Sequence, residues 1–285
     1  MRLNYLAVPL AVAIAAACID QDERHSIDLL NDGIDSFDVG EESRAIEALE
    51  ESTHYDPTNH RAWYVLGQVH NVRGEWEEAA AALSEAVKYE DQDPMYQFQL
   101  GEALVESGQY DLAETHLDQA LELNDRLFRA WYFLGRVYDR TARPDEAAAA
   151  WTRAAELNPY YGPAFVELGR LYLRWDMIDE AISVLEQGSM HVRGEDDLSD
   201  LYYFLGLAYE SNQQRDEAVE AFSEALAVRA GNEEARLQRG FVYADMGELE
   251  KAKDDLTEFV DRGGGGVEFN LQVANTRLQR LRARQ

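Results

Sequence analysis

The sequence predicts an all-α protein built as a stack of seven helical hairpins, and three observations support this fold class. Glycines recur with a spacing of 34 residues along most of the chain, and alanines recur in the same register twelve residues later. Apolar side chains around them follow helical spacing. The 285 residues are 46% hydrophobic, which is enough apolar material for a large core. Because a hairpin of two helices cannot cover its own apolar face, neighbouring hairpins must stack into a solenoid.

The first seventeen residues differ from the rest of the chain and predict an export signal. Arg2 lies in a short basic end, and residues 6–17 form an unbroken apolar run that ends in small residues. This run is too short to span a bilayer as a helix, which needs about 20 residues. Cys18 follows directly and is the only cysteine, so it cannot form an intramolecular disulfide.

Residues 15–18, Ala-Ala-Ala-Cys, resemble the lipobox of bacterial lipoproteins, although Ala15 stands where leucine is usual. The resemblance implies lipidation of Cys18, with residues 18–25 as a lipidated N-terminus and short tether at the envelope of a Gram-negative bacterium. Ile19 stands where some bacteria use Asp to retain lipoproteins at the inner membrane. The outer membrane, facing the periplasm, is therefore favoured. The alternative is an ordinary signal-peptidase site beside an incidental cysteine.

The glycine and alanine series divides residues 26–266 into seven units. The glycines are Gly33, Gly67, Gly101, Gly135, Gly169, Gly206 and Gly240, and the alanines are Ala45, Ala79, Ala113, Ala147, Ala181, Ala218 and Ala252. The resulting units are residues 26–59, 60–93, 94–127, 128–161, 162–198, 199–232 and 233–266. The fifth unit is three residues longer than the others, and the segment 193–197 is expected to form a turn.

The fourth unit carries the fullest pattern. Its apolar residues recur at helical spacing in two runs, Trp131, Leu134 and Tyr138 followed by Ala147, Trp151 and Ala154, and Pro159 ends the second run. With Gly135, this pattern resembles the tetratricopeptide repeat (TPR), W-x2-L-G-x2-Y followed by A-x3-F, A and P. The resemblance implies a right-handed superhelical solenoid of seven helix-turn-helix repeats.

The two ends of the array depart from this pattern. In the first unit, Asp32 and Ser36 stand where leucine and tyrosine are usual, which is consistent with an end repeat or with a shifted register. Glycines 263–266 are expected to be a flexible break, because no lysine follows them as in a phosphate-binding loop. Residues 267–285 are then expected to form a capping helix, whose apolar stripe is Leu271, Ala274, Leu278 and Leu281. Its arginines suit a helix C-terminus, and the competing interpretation is a basic tail for acidic partners.

Charge and motif content exclude several function classes. The net charge of −29 opposes nucleic acid and anionic lipid, so membrane contact is expected only through a lipid anchor. The sequence has no HExxH pair, GxSxG elbow or EF-hand loop. Acid pairs such as Asp145 and Glu146 precede the second helix of a hairpin, where the helix dipole favours negative charge. We therefore expect no catalytic residues, no metal and no cofactor. The protein is not expected to be an enzyme.

The resemblance also implies a groove that receives a partner. In the TPR family the first helix of each unit lines this groove, mainly through positions 2, 5, 9, 12 and 13. Carried over to this sequence, the predicted partner-binding residues are Arg129, Tyr132, Arg136, Arg140, Arg170, Leu173, Arg174, Tyr203 and Leu207. The four arginines at positions 9 and 13 predict a protein or peptide ligand with acidic residues and hydrophobic anchors.

Two further interpretations of the groove stay open. Like charges four residues apart repel, so Glu102 and Glu106 of the third unit could neutralise Arg136 and Arg140 as ordinary packing. An apolar groove at Leu237, Phe241 and Ala244 of the seventh unit is the second possible binding surface.

The predicted function is a non-enzymatic scaffold for protein–protein interactions at the bacterial cell envelope. Resemblance to the family suggests assembly of outer-membrane proteins, pili or secretion machinery, or adaptor work for cell-wall enzymes. One alternative is an accessory subunit of an envelope enzyme complex. Another is a soluble periplasmic binding module for an acidic ligand, in which Cys18 has no function.

Overall fold

The computed structural model describes residues 21–263 and 268–282, and the regular structure in these ranges is entirely helical. The chain divides into two compact units, residues 1–125 and 126–285, each of which is described by itself. The predicted export signal and Cys18 lie outside the described residues. None of the described helices is both long and apolar enough to cross a membrane.

The first unit consists of three helical hairpins. Its helices are α1 (Gln21–Asp38), α2 (Glu42–Tyr55), α3 (His60–Arg73), α4 (Trp76–Tyr89), α5 (Pro94–Glu106) and α6 (Tyr110–Leu123). Leu30, Leu49 and Leu66 belong to one buried cluster, which joins the first hairpin to the second.

The second unit consists of four hairpins and a final helix. Its helices are α7 (Phe128–Arg140), α8 (Pro144–Leu157), α9 (Gly162–Arg174), α10 (Ile178–His191), α11 (Glu195–Ser211), α12 (Arg215–Val228), α13 (Glu233–Met246), α14 (Leu249–Asp261) and α15 (Glu268–Arg282). The chain is thus an all-α array of helical hairpins, as predicted.

The repeated small residues explain how each hairpin closes. A Cβ atom on Gly67 would lie 2.5 Å from Cγ of Leu83, which is sixteen residues later on the second helix. Gly135 is related in the same way to Trp151, whose Nε1 would lie 2.4 Å from the added Cβ. The seven repeated alanines are fully buried. Small side chains on both helices therefore let a large one fill the space between them.

The turn inside each hairpin has a left-handed residue at position 15 of the unit. Glycine occupies this position in four hairpins, as at Gly74 with φ 72° and Gly247 with φ 83°. The other three hairpins place Ala142, Asp176 and Gln213 there, with φ values of 58°, 60° and 61°. A Cβ atom makes this conformation less favourable, so these three turns are strained relative to the glycine turns.

The N-terminal region differs from its prediction in one respect and resolves a question of register. The described part of the proposed tether, residues 21–25, is helical, because α1 already begins at Gln21. Ser36 is buried, and its Oγ donates to the Asp32 carbonyl at 2.7 Å. Gly33 lies against Leu49, which is sixteen residues later as in the other hairpins, so the register is unshifted and Ser36 fills the tyrosine position of an end repeat.

The three-residue insertion in the fifth unit lengthens a helix. The predicted turn at residues 193–197 is therefore correct for residues 193–194 and wrong for residues 195–197. Glu195, Asp196 and Asp197 form the first turn of α11, which has 17 residues. Negative charge is favourable at a helix N-terminus. Gly162 provides the room for this extra turn, because a Cβ atom there would lie 2.4 Å from Cβ of Asp197.

The final helix covers the last hairpin, as a capping helix should. Ala274 and Leu278 of α15 are buried in a cluster with Leu237 of α13 and with Leu256 and Phe259 of α14. The predicted contacts of Leu271 and Leu281, and glycines 264–266, lie outside the part of the chain that is described.

Candidate partner-binding face

The predicted arginines lie on one face of the second unit, formed by the first helix of each hairpin. We call this surface, on α7, α9, α11 and α13, the A-helix face. Arg174 on α9 donates from Nη2 to Oδ1 of Asp139 on α7 at 2.5 Å. The guanidinium of Arg170, also on α9, lies 5.7 Å from the ring centroid of Phe204 on α11. Side chains of three successive first helices therefore meet on this face.

Arg170 and Arg174 each have an acidic partner inside the unit. Arg170 pairs with Glu167 on its own helix at 3.0 Å, and Arg174 pairs with Asp139. The arginine side chains remain 50% and 55% exposed. Sequence reasoning missed these partners because it compared identical repeat positions, whereas Asp139 is at position 12 of its unit and Arg174 is at position 13.

The arginines of α7 have different surroundings. Arg136 is half-buried, with its guanidinium 5.1 Å from the centroid of the Phe133 ring. Arg140 and Arg129 are exposed, and Arg140 makes no ion pair or hydrogen bond with any described residue of the second unit. Neutralisation of the α7 arginines by Glu102 and Glu106 stays a prediction.

The predicted aromatic and aliphatic residues are half-buried and contribute to packing. Tyr132 contacts the Tyr161 ring edge-on, with centroids 5.2 Å apart, and Tyr203 lies 6.1 Å from Phe222. Leu173 and Leu207 pack against the buried clusters of their hairpins. Each of these side chains therefore serves the core and leaves part of its surface on the A-helix face.

A cavity of about 540 Å³ lies at the end of the A-helix face, and sequence reasoning did not predict it. It is lined by Glu210 of α11, Phe241 and Asp245 of α13, and Gln272, Val273, Thr276, Arg277 and Arg280 of α15. Arg277 forms an ion pair with Asp245, so α15 is tied to α13 across the cavity. No motif signals this site, because it exists only where α15 packs beside the last hairpin.

The predicted apolar groove at Leu237, Phe241 and Ala244 is wrong for two of its three residues. Leu237 and Ala244 are buried in the cluster that Ala274 and Leu278 of α15 complete. Phe241 alone lines the cavity. The capping helix α15 therefore covers most of the apolar surface of α13 that was predicted to form a groove.

Glu210 is a half-buried acid in the wall of the cavity. Burial raises the pKa of its carboxyl group, Asp245 raises it further, and Arg215 acts in the opposite direction. Glu210 makes no ion pair with a described residue of the second unit. A half-buried carboxylate without a direct counter-ion reduces stability and attracts a cationic group.

We expect Glu210→Gln to stabilise the protein at neutral pH. The native pKa is above the unfolded value, so the native state loses stability as pH rises from about 4.5 through the native pKa. Glutamine removes this loss. Melting temperatures measured against pH should therefore diverge above that window and converge below it, where Glu210 is protonated in both states.

The control for this prediction is Glu220→Gln, which changes an exposed acid on α12. Its melting curve should follow that of the unmodified protein at every pH. Equal stabilisation by both variants would show that relief of the overall negative charge is responsible, and not the environment of Glu210.

Among residues 21–263 and 268–282, no three His, Cys, Asp or Glu side chains come together in an arrangement that would hold a metal ion.

Two sequence models of the tetratricopeptide repeat match the chain, one at residues 33–94 and 98–162 and the other at residues 199–232. Together they cover more than half of the sequence. The chain belongs to the tetratricopeptide repeat family. No curated protein matches the sequence.

Solved TPR structures share the fold at low sequence identity. A tetratricopeptide repeat protein from Parabacteroides merdae is 17% identical, covers 90% of this chain and 99% of its own, and has a TM-score of 0.63. PilW, a type IV pilus biogenesis factor, is 17% identical over 74% of this chain and 96% of its own, with a TM-score of 0.62. YrrB, a TPR protein with an unusual peptide-binding site, is 21% identical over 67% of this chain and 96% of its own, with a TM-score of 0.51. These structures therefore share the helical-hairpin fold of this chain.

Proposed function

We propose that this TPR protein is a non-enzymatic scaffold that binds an extended segment of a partner protein on the A-helix face of its second unit. The observation that carries the proposal is the set of exposed guanidinium groups of α7 and α9, which belong to Arg129, Arg140, Arg170 and Arg174. The cavity at α15 lies on the same face, beside α11 and α13. Arginine suits this task because its planar fork binds a carboxylate through two parallel hydrogen bonds.

The ion pairs of Arg170 and Arg174 are compatible with ligand binding. Both pairs are half exposed, and such pairs contribute about 0 to 1 kcal/mol to stability. A ligand carboxylate can therefore replace Glu167 or Asp139 at little cost. Arg140, which has no such partner in the second unit, is available without any exchange.

The ligand has a recognisable chemistry along this face. Acidic side chains would contact Arg136, Arg140, Arg170 and Arg174, and one or two hydrophobic anchors would pack beside Tyr132, Tyr203, Leu173 and Leu207. A basic side chain would enter the cavity at Glu210, where it would neutralise the half-buried carboxylate. The partner segment is therefore acidic over most of its length and basic at one end.

Arg140→Glu provides the sharpest test of the binding face. A random peptide library displayed on phage is selected on the unmodified protein, and a selected peptide is synthesised. We expect Arg140→Glu to weaken its binding by at least about tenfold, or 1.4 kcal/mol. Thermal stability should not fall, because Arg140 loses no ion pair and its repulsion with Arg136 is removed.

The matched control is Lys251→Glu, which makes the same change of charge on the exposed surface of α14. It should leave binding within about twofold of the unmodified protein, well under the 1.4 kcal/mol of a tenfold change. Equal weakening by both variants would indicate general electrostatic attraction. Unchanged binding in a folded Arg140→Glu protein would contradict the assignment of this face.

The cellular location is a separate part of the proposal and rests on the N-terminal sequence alone. We propose that the chain is exported and lipidated at Cys18, and that it faces the periplasm from the outer membrane, where it organises an envelope assembly. Cys18→Ser should move the protein from the membrane fraction to the soluble or precursor pool. Recovery of an unmodified chain that begins at Cys18 would overturn the lipid anchor and leave the binding face unaffected.

A further inference from the structure

The second unit has another groove, on the side of the second helices, which the proposed function does not use. This B-helix groove, of about 530 Å³, lies between α8, α9 and α10. Phe165 and Leu168 of α9 form its buried floor, and Tyr172 and Val184 are half-buried in its wall. The groove therefore presents apolar surface on the side of the second helices, whereas the arginines lie on the A-helix face.

The equivalent place in the first unit has a polar lining. A cavity of about 560 Å³ there is lined by Gln97 and His116, among others. These two residues occupy the same repeat positions, 4 and 23, as Phe165 and Val184. Oε1 of Gln97 lies 2.8 Å from Nδ1 of His116, so the two polar side chains satisfy each other. The apolar residues at these two positions therefore distinguish the B-helix groove from the cavity in the first unit.

The charged side chains that line the B-helix groove are all acidic. Glu156, Asp179 and Glu180 are exposed on its rim, and no lysine or arginine lines it. Glu156 has an exposed ion pair with Arg153 at 3.2 Å, whereas Asp179 and Glu180 make no ion pair with described residues of the second unit. An apolar floor with an acidic rim is complementary to a segment that is apolar on one side and basic on the other.

We infer that the B-helix groove is a second docking site, and that it binds a basic amphipathic segment of a partner protein. Leucine- or methionine-like side chains would cover Tyr172 and Val184, and lysine or arginine would contact Asp179 and Glu180. Occupation of this groove leaves the A-helix face open. The protein would then hold two partners of opposite charge at once.

The rim acids have a competing structural role that the test must separate. Asp179 and Glu180 begin α10, as Asp216 and Glu217 begin α12, and both pairs favour helix formation through the dipole. Asp216 and Glu217 line neither the cavity at Glu210 nor the B-helix groove. Neutralising either pair of acids removes two negative charges from the first turn of a helix. Only the pair of Asp179 and Glu180 borders the B-helix groove.

The probe is a fluorescent helical peptide of leucine and lysine, with the leucines on one face. Binding is measured by fluorescence anisotropy on the full chain. We expect Asp179→Asn with Glu180→Gln to weaken binding by at least about tenfold, and Asp216→Asn with Glu217→Gln to change it by less than about twofold. Equal weakening by both double variants would overturn the site, because it would show non-specific attraction to an acidic protein.

A second pair of variants tests the groove without changing charge. Ser183→Trp places a large side chain in the groove, since Ser183 is exposed and lines it. Thr115→Trp makes the comparable change at the same repeat position, 22, of the first unit. Ser183→Trp should abolish the specific binding and Thr115→Trp should preserve it. Intact binding to folded Ser183→Trp would contradict the inference.

The two binding faces are distinguished by Arg140→Glu. This variant should leave the leucine–lysine peptide bound while it releases the peptide selected for the A-helix face. Loss of both ligands together would place them on a single surface and overturn the second site. Loss of the leucine–lysine peptide in Ser183→Trp alone would support it whatever the outcome on the A-helix face.

Discussion

Trp151→Ala is expected to lower the free energy of unfolding by about 3 to 5 kcal/mol. Trp151 is 1% exposed and lies at the contact between α7 and α8. Its indole Nε1 donates to the Tyr132 carbonyl at 3.1 Å, so truncation loses a hydrogen bond as well as packing. Leu168 and Leu171 of the next hairpin belong to the same buried cluster, and the damage should spread to α9.

Urea denaturation measures the loss, and hydrogen exchange locates it. Protection should fall first in α7 to α10, because coupling in a repeat array is mainly between nearest neighbours. Trp131→Ala is the control. Because Trp131 is only half-buried, this variant should lower the free energy of unfolding by less than Trp151→Ala does. An equal loss of protection through α14 would indicate a fully cooperative unit and contradict nearest-neighbour coupling.

Arg239→Met is expected to lower the free energy of unfolding by about 3 to 5 kcal/mol, because it leaves the buried carboxylate of Asp255 without its arginine partner. Arg239 on α13 binds Asp255 on α14 through two hydrogen bonds, Nε to Oδ2 at 2.8 Å and Nη2 to Oδ1 at 2.7 Å. Asp255 is 6% exposed. The third contact, from Nη1 to Ser223 Oγ at 3.0 Å, joins α12 to the same pair.

A double variant separates the loss of the pair from the exposure of a single charge. Arg239→Met with Asp255→Leu replaces both ions by apolar groups and should recover much of the lost stability. Lys251→Met, which removes an exposed ion pair, should cost less than about 1 kcal/mol. A double variant as unstable as Arg239→Met would show that the ion pair itself, and not an unpaired Asp255, determines the effect.

Much of the fold was predictable because it depends on small residues with a fixed register. Gly135 and Ala147 mark the two faces that close a hairpin, and the same marks recur in every unit. The strained turns were not predictable. Ala142, Asp176 and Gln213 are not glycines, and they adopt a left-handed conformation because the geometry of the hairpin requires it. The extra turn of α11 depends on space at Gly162, which the sequence alone does not reveal.

The sequence predicted that Arg170 and Arg174 lie on the first helix of their hairpin, and both are on α9. Partner binding by these residues stays a prediction. Their partners Glu167 and Asp139 depend on side-chain reach, which repeat alignment does not describe. The cavity at Glu210 depends on the placement of α15, a helix outside the repeat pattern.

The central claim is that partner binding takes place on the A-helix face of the second unit. Photo-crosslinking of the selected peptide, followed by mass spectrometry of the crosslinked fragments, tests this claim most directly. The account predicts crosslinks to α7, α9 and α11, and to the residues of α13 and α15 around the cavity. Crosslinks confined to α8, α10, α12 and α14 would contradict it.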